Sequence, residues 1–521
     1  MTFVSFGFIA FAAFTVVVCY ALPAKAKWPA LLVLSLGIYA SVNPLYLIFI
    51  SAASFSAYLA GIAIGKQNDR YKEISAQLSD RSEKRRYKDR RDKVNRRILV
   101  LSLLFCLGIL AVTKYSNFVL ENISKFTDPG RGFEPLDILI PMGISYYTFQ
   151  TVSYVIDTYR GGKPEKNPAK LLLFTCFFPQ LVQGPISRYK DLAPELFTPH
   201  KLSWDNITAG LIRISFGYFK KVVIADRMIT AVRVMSQDTE NYSGIYVFIL
   251  MIFYAIDLYA DFTGGIDITV GIARLMGIRL KENFNLPFFS KNIKEYWNRW
   301  HITMGSWFTD YIFYPMSVSR GCLKLSKWSR EHLGNAVGKR VTVYLSALAV
   351  WLFTGIWHGA AWNFIVWGLL NFVVIMISRE LEPLYAKFHK KTGLKDKKPY
   401  AVFEMIRTFI LMSAIRILDV YGDVPLTFRM VGGIFTPAAG FSTDMLLATG
   451  LTAGDFACIG AGSLILLISG IVKYNKGDII AGLRVRPFLC CSLIAALVLV
   501  TLTFGAYGIG YDSSQFIYNK Y

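Results

Sequence analysis

Apolar residues gather into spans near 3–22, 29–43, 45–65, 98–119, 138–157, 171–186, 207–233, 243–260, 341–357, 360–378, 401–418, 456–472 and 487–507, separated by short polar, mostly basic segments. A helix needs about 20 largely apolar residues to cross the ~30 Å hydrocarbon layer. Backbone at that depth must satisfy its own hydrogen bonds or line a protein-walled cavity. The pattern therefore predicts an all-α polytopic membrane protein with about 11 to 13 membrane helices, some of them short or re-entrant. With no internal repeat and no low-complexity tract, one continuous membrane domain over 1–521 is the economical reading.

Two segments depart from this pattern. Residues 66–97 carry 13 Lys/Arg against 6 Asp/Glu and read as a solvated cytoplasmic loop. Residues 281–315, KENFNLPFFSKNIKEYWNRWHITMGSWFTDYIFYP, alternate charges with aromatics and contain no 20-residue apolar run, which predicts interfacial helices and re-entrant backbone at the cytoplasmic face. Counting spans back from a cytoplasmic 66–97 places Lys25 and Lys27 inside. Counting forward puts 120–137 outside and the basic 160–170 segment inside, while Arg484 and Arg486 before the last span place the 508–521 tail outside.

Composition narrows the chemistry. The 521 residues are 54% hydrophobic and 18% charged, and the net charge of +22 sits in the loops between spans, a topology signal rather than a nucleic-acid footprint. Seven scattered cysteines and five histidines show no ligand spacing, so no metal site or disulfide framework is expected. Gly264-Gly265 matches no nucleotide-binding fingerprint. Ala24-Lys25-Ala26 imitates a signal cleavage site, but no basic region precedes the first apolar run, and a retained first helix is expected.

The candidate chemistry lies in LFTGIWHGAAWNFIVWGLLN, residues 352–371. Val341 to Ser378 lack Asp, Glu, Lys and Arg altogether, so His358 is the readily titratable group of 38 residues flanked by Arg340 and Arg379. Basic flanks on both sides predict a hairpin with cytoplasmic ends and His358 near its turn, deep in the membrane. Gly355 and Gly359 bracket it and permit irregular backbone or a close ligand. A neutral buried imidazole can take a hydroxyl proton, which makes general base one role. A histidine hydrogen-bonded between helices, or a packing knot of Trp351, Trp357, Trp362 and Trp367, is the other.

Several stretches follow one family pattern in order: PMGISYYTFQTVSYVIDTYRG (141–161), FFPQLVQGPISRYKDLAPEL (177–196), the Asp261 to Asn285 segment, EYWNRWHITMGSWFTDYIFYP (295–315) and TGIWHGAAWNFIVWGLLN (354–371). In these the chain resembles the membrane-bound O-acyltransferase (MBOAT) family, closest to its bacterial branch of alginate O-acetyltransferase subunits and related polysaccharide acetylation proteins. The likeness covers about 30–380; beyond 380 it lies mainly in hydropathy. Gly265 and Ile266 stand where relatives often have an aromatic and a serine.

The resemblance implies a ring of helices around a thinned centre, where a cytoplasmic donor tunnel meets an outward funnel. Carried over by position, His358 is the catalytic histidine of the W-H-G motif, and His301 in RWHIT is the second family position, with a direct or a substrate-lining role. Lys291, Lys294 and Arg299 would suit the phosphates of coenzyme A near the tunnel mouth, with Trp300 counted to the same donor site, or the segment forms an ordinary snorkelling interface. The ending GIGYDSSQFIYNKY resembles the aromatic tail of this branch, which makes Tyr518 a covalent acyl relay or part of a docking tail. The implied activity is transfer of acetyl from cytoplasmic acetyl-CoA, a substrate with no resident cofactor, to an extracytoplasmic polysaccharide, with a separate SGNH-type partner, in the bacterial cytoplasmic (inner) membrane. D-alanyl transfer from a carrier protein to teichoic acid is the enzymatic alternative. A polytopic transporter is the alternative of another class, though the chain lacks the internal symmetry transporters usually show.

Overall fold

The computed structural model describes residues 4–128, 132–181, 183–435, 440–477, 482 and 486–507. Among them each apolar span is helical, and no strand occurs. Among the described residues seven helices are long and apolar enough to cross a membrane: Tyr46–Gln77, Arg81–Thr127, Ile245–Leu275, Asn335–His358, Trp362–Glu380, Ala453–Lys476 and Pro487–Phe504. The chain is an all-α, multi-pass membrane protein. The other apolar spans are helices of a different kind. Phe6–Ala21 and Ile144–Tyr159 have 16 residues each, 171–186 breaks into Pro168–Cys176 and Phe178–Leu181, and Lys398–Tyr421 carries Glu404, Arg407, Arg416 and Asp419. Each falls short in length or in apolarity for an independent crossing.

The chain divides into two compact units, Ser5–Asn206 with Ile272–Leu280, and Ile207–Gly271 with the residues from Lys281 on. In the first, Tyr46–Gln77 and Arg81–Thr127 form a long antiparallel pair against which the almost wholly buried Ile144–Tyr159 packs. The basic 66–97 segment is therefore not a loop. It is the continuation of both helices, broken only at 78–80, where Asp80 caps the second helix by accepting from Ser82 N at 3.0 Å. Lys, Arg and Glu are good helix formers, and no Gly or Pro interrupts the run. Across the pair, Asn95 Nδ2 donates to Asn68 Oδ1 at 2.9 Å and the Arg91 guanidinium lies 4.3 Å from the Tyr71 ring centre.

In the second unit a helix ending at Tyr218 passes through a π-helical turn, Phe219–Ala225, into Asp226–Gln237. This passage packs on Ile245–Leu275 through glycines. A Cβ at Gly264 would lie 2.9 Å from the Gly217 carbonyl oxygen, so Gly264 lets two helix backbones approach. The π-turn places Lys220 and Lys221 side by side but on different acids. Lys221 pairs with Asp226 at 2.8 Å and Asp261 at 2.6 Å, and Lys220 pairs with Asp267 at 2.6 Å. Arg213 bridges Asp267 and Glu282. The same unit holds the hairpin Asn335–His358/Trp362–Glu380, closed over 359–361.

Candidate active site

The hairpin holds His358 as the last residue of its first arm. Gly355 and Gly368 bring the arms together: a Cβ at either would stand 2.4 Å from a carbonyl oxygen of the other arm, that of Phe364 or Trp351. No larger residue fits there, and the small pair fixes where the arms cross. The chain then turns at Gly359, over which the Phe364 ring lies too close for any side chain. His358 ends up 4% exposed, edge-on to Trp367 at 4.8 Å and to Trp357 at 4.9 Å between ring centres, with Phe364 stacked at 6.4 Å.

His301 reaches this place from the 281–315 segment, which is built of short helices joined by extended backbone. The extended 281–286 stretch runs beside 299–303, with Asn285 N donating to Arg299 O and Ile302 N to Asn283 O, both at 2.9 Å. Between the short helices Ile293–Arg299 and Ile302–Phe308, His301 takes φ +48° and ψ +52°, a left-handed conformation costly for a non-glycine residue. The Asn283 amide repays part of that cost. Its Oδ1 accepts from Thr303 N at 3.1 Å and Thr303 Oγ1 at 2.8 Å, and lies 3.2 Å from His301 Nδ1. The ring is 1% exposed. Burial, with the Arg416 guanidinium as the second cause, pushes its pKa from the usual range down to about 3, so the imidazole is neutral at physiological pH.

Trp357 joins the two histidines. Its ring centre is 6.1 Å from that of His301 and 4.9 Å from that of His358, so residues 57 positions apart share one indole. Behind this arrangement lies a further residue, from outside both histidine segments. Arg416, 5% exposed on Lys398–Tyr421, sits over Trp367 at 4.7 Å, Trp300 at 5.3 Å and Trp297 at 5.6 Å, and pairs with Asp419 at 3.2 Å. Trp297 is tied to the hairpin by donating Nε1–H to Asn371 Oδ1 at 3.2 Å. The available signal was an arginine inside an apolar span.

The expected donor-site residues are placed unevenly. Trp300 is 3% exposed and packs inside the Arg416 box, stacked on Tyr296 at 5.7 Å. Arg299 pairs with Glu295 at 2.7 Å, and Lys291 N donates to Glu295 Oε2 at 2.8 Å, while Lys294 is exposed. Tyr518 lies outside the described residues. Among the described residues no group of three or more His, Cys, Asp or Glu could hold a metal ion.

Comparison with known proteins places this architecture. Residues 167–333 match the model of MBOAT, the membrane-bound O-acyltransferase family, a region that includes His301 and ends before His358. The chain is 32% identical over 318 residues to the peptidoglycan O-acetyltransferase of Helicobacter pylori, covering 56% of this chain and 57% of that protein. It is 32% identical over 354 residues to the Pseudomonas syringae pv. tomato protein named "Probable alginate O-acetylase AlgI", covering 66% and 62%. It is 31% identical over 246 residues to the teichoic acid D-alanyltransferase of Bacillus subtilis, covering 46% and 59%. The chain thus spans less than two thirds of the length of these relatives. An all-helical, multi-pass chain with this match carries a membrane-bound O-acyltransferase family region, and its relatives are O-acetylating and D-alanylating proteins.

Proposed function

We propose that the protein is an O-acyltransferase that passes acetyl from cytoplasmic acetyl-CoA to an extracytoplasmic polysaccharide, with His358 as general base. One observation carries this reading: two buried histidines from distant segments both pack against Trp357 within a membrane protein related to acetyltransferases. In the reaction an acceptor hydroxyl gives its proton to the neutral His358 imidazole while its oxygen attacks the thioester carbonyl. The C–S bond breaks, the imidazolium returns the proton to the departing thiolate, and the products are an ester and free coenzyme A. A base in place contributes about 10²- to 10⁴-fold. His301, held neutral, lines the same indole and orients the acceptor or the carbonyl.

Because coenzyme A is bulky and charged while acetyl is small, a buried histidine between cytoplasm and exterior lets the acyl group cross and leaves the carrier behind. Lys291, Lys294 and Arg299 form the donor-side surface in this reading, with the buried Trp300 as part of the packing under it and with no resident cofactor. A separate SGNH-type protein receives or delivers the acyl group outside, and the host membrane is the bacterial inner membrane, whose anionic lipids meet the basic segments. Tyr518 acts as the first acceptor: its phenol, with an ordinary pKa near ~10, needs an adjacent base at pH 7, and the aryl ester is reactive enough to pass acetyl on. D-alanyl transfer from a carrier protein is the second reading, favoured by the similarity to the Bacillus subtilis enzyme. The acetylating relatives match over more of this chain.

Purified protein in vesicles, offered radiolabelled acetyl-CoA or a D-alanyl-loaded carrier, decides between them by which donor it consumes. Consumption of neither, with soluble glycan and partner present, overturns the reading. Tyr518→Phe keeps the ring and deletes the hydroxyl. A wild-type transfer rate in that variant would remove the relay and leave His358 to activate the incoming acceptor. Cysteines placed in 66–97 are expected to label only from the cytoplasm, and one after Tyr511 only from outside.

A further inference from the structure

We infer that Arg416 is a positioning residue for both histidines, a single cation that sets the rings of His358 and His301 through the indoles it touches. The inference rests on the O-acyltransferase reading of the same site. Arg416 has no direct contact with the reacting atoms in this account and is not a base or nucleophile; its role is to fix the wall behind them.

The geometry is specific. Trp367 is fully buried between Arg416, 4.7 Å from its ring centre, and His358, 4.8 Å away on an edge-on approach. Trp300, 5.3 Å from Arg416, immediately precedes His301, whose left-handed backbone leaves little freedom to reposition its ring independently. Trp297, the third indole, is bonded to Asn371, whose own Nδ2 donates to Trp367 O at 2.8 Å, so the box closes on the hairpin that carries His358. A guanidinium attracts indole faces through the ring quadrupole, and it stacks flat on them where an ammonium cannot. The ion pair with Asp419, both side chains buried, holds the guanidinium among the three rings rather than letting it snorkel away.

An arginine kept in an apolar helix at the cost of burying an ion pair calls for a reason beyond stability, since an apolar packing of similar volume is often as stable. Positioning supplies it. Misplacing a catalytic group by about 1 Å costs on the order of 10²-fold in rate.

The test uses the full-length protein in vesicles. Arg416→Met is expected to lower kcat for acyl transfer ~10- to 100-fold with the donor KM within about twofold, and Arg416→Lys to recover part of the loss. Carbethoxylation of His358, read by mass spectrometry, gives a second measure that needs no acyl transfer. It is expected to be slow in the wild type and Arg416→Lys and at least several-fold faster in Arg416→Met, with the Cys490 thiol, buried in the same unit, staying protected. Should Arg416→Met fail to fold, Trp367→Phe removes the indole between Arg416 and His358 while keeping an aromatic ring, and is expected to give the same two signatures more weakly. Wild-type kcat and wild-type His358 protection in the folded variant would overturn the inference while leaving the function intact. A wild-type protein that consumes no acyl donor would overturn the function, with the carbethoxylation rates still deciding whether Arg416 sets the His358 ring.

Discussion

Two polar clusters lie equally deep in the second unit and are held in opposite ways. Around the π-turn, Lys221 is 1% exposed between Asp226 and Asp261, so charge meets charge. Around Trp357, His301 and His358 are as buried, but indoles, a phenyl ring and a neutral amide are among their neighbours, with the Arg416 cation set behind the indoles. Such an ion cluster is costly to break, because removing its cation leaves carboxylates uncompensated in low dielectric. An imidazole among aromatic faces is instead kept neutral by burial, and a neutral imidazole is the form that can act as a base. The first arrangement suits a scaffold, the second chemistry.

The largest way to sharpen this contrast is His358→Ala, expected to lower acyl transfer by ~10²- to 10⁴-fold with melting temperature and membrane insertion nearly unchanged. Substantial acylation by that variant, in membranes lacking the native copy, would sink the assignment. Lys221→Met should do the reverse: about 3–5 kcal/mol of stability lost, read as poor yield and a lowered melting temperature, because two carboxylates lose their cation. Adding Asp261→Asn should restore part of it; a single variant as stable as wild type would show that the cluster is not the scaffold described here.

Asn283→Ala probes the seam between the two behaviours. Losing the acceptor for Thr303 N and Oγ1 should cost ~1–3 kcal/mol, and kcat should fall about tenfold as His301 loses its anchor. Unchanged kcat with lowered stability would make Asn283 purely structural. Glu282→Gln, at the half-exposed rim of the neighbouring Arg213–Asp267–Lys220 network, should change stability by no more than ~1 kcal/mol in a chemical or thermal melt. A loss as large as that of Lys221→Met would mean the rim charge is coupled to the core.

Much of this site was readable in the chain. A stretch of 38 residues without Asp, Glu, Lys or Arg and with one histidine announces its hairpin, because lipid tolerates few exceptions to apolarity and each exception is visible. The mixed charges and rings of 281–315 likewise announce backbone that is neither loop nor span. Charge counting alone did not separate a loop from a helix in 66–97, since both are solvated; the unbroken run of helix-forming residues carried that information. Arg416 acts through partners 49 or more residues away, Trp367 and His301 among them, and Asn283 through His301 and Thr303, 18 and 20 positions on, and such meetings depend on how separate segments cross. The glycines at 355 and 368 set one such crossing, and nothing in a one-dimensional pattern says which glycine pairs with which.

The uninterrupted helix Arg81–Thr127 has a mechanical consequence. At ~1.5 Å per residue its 47 residues make a rod of about 70 Å, more than twice the hydrocarbon thickness, so its charged end stands clear of the headgroups as a stiff post rather than a slack tether. A post of that length, dense in cations, holds positive charge at a fixed distance from the apolar part of the same helix. A polyanionic visitor from the water phase feels that charge ahead of the membrane surface, so its encounter rate should fall as salt is raised.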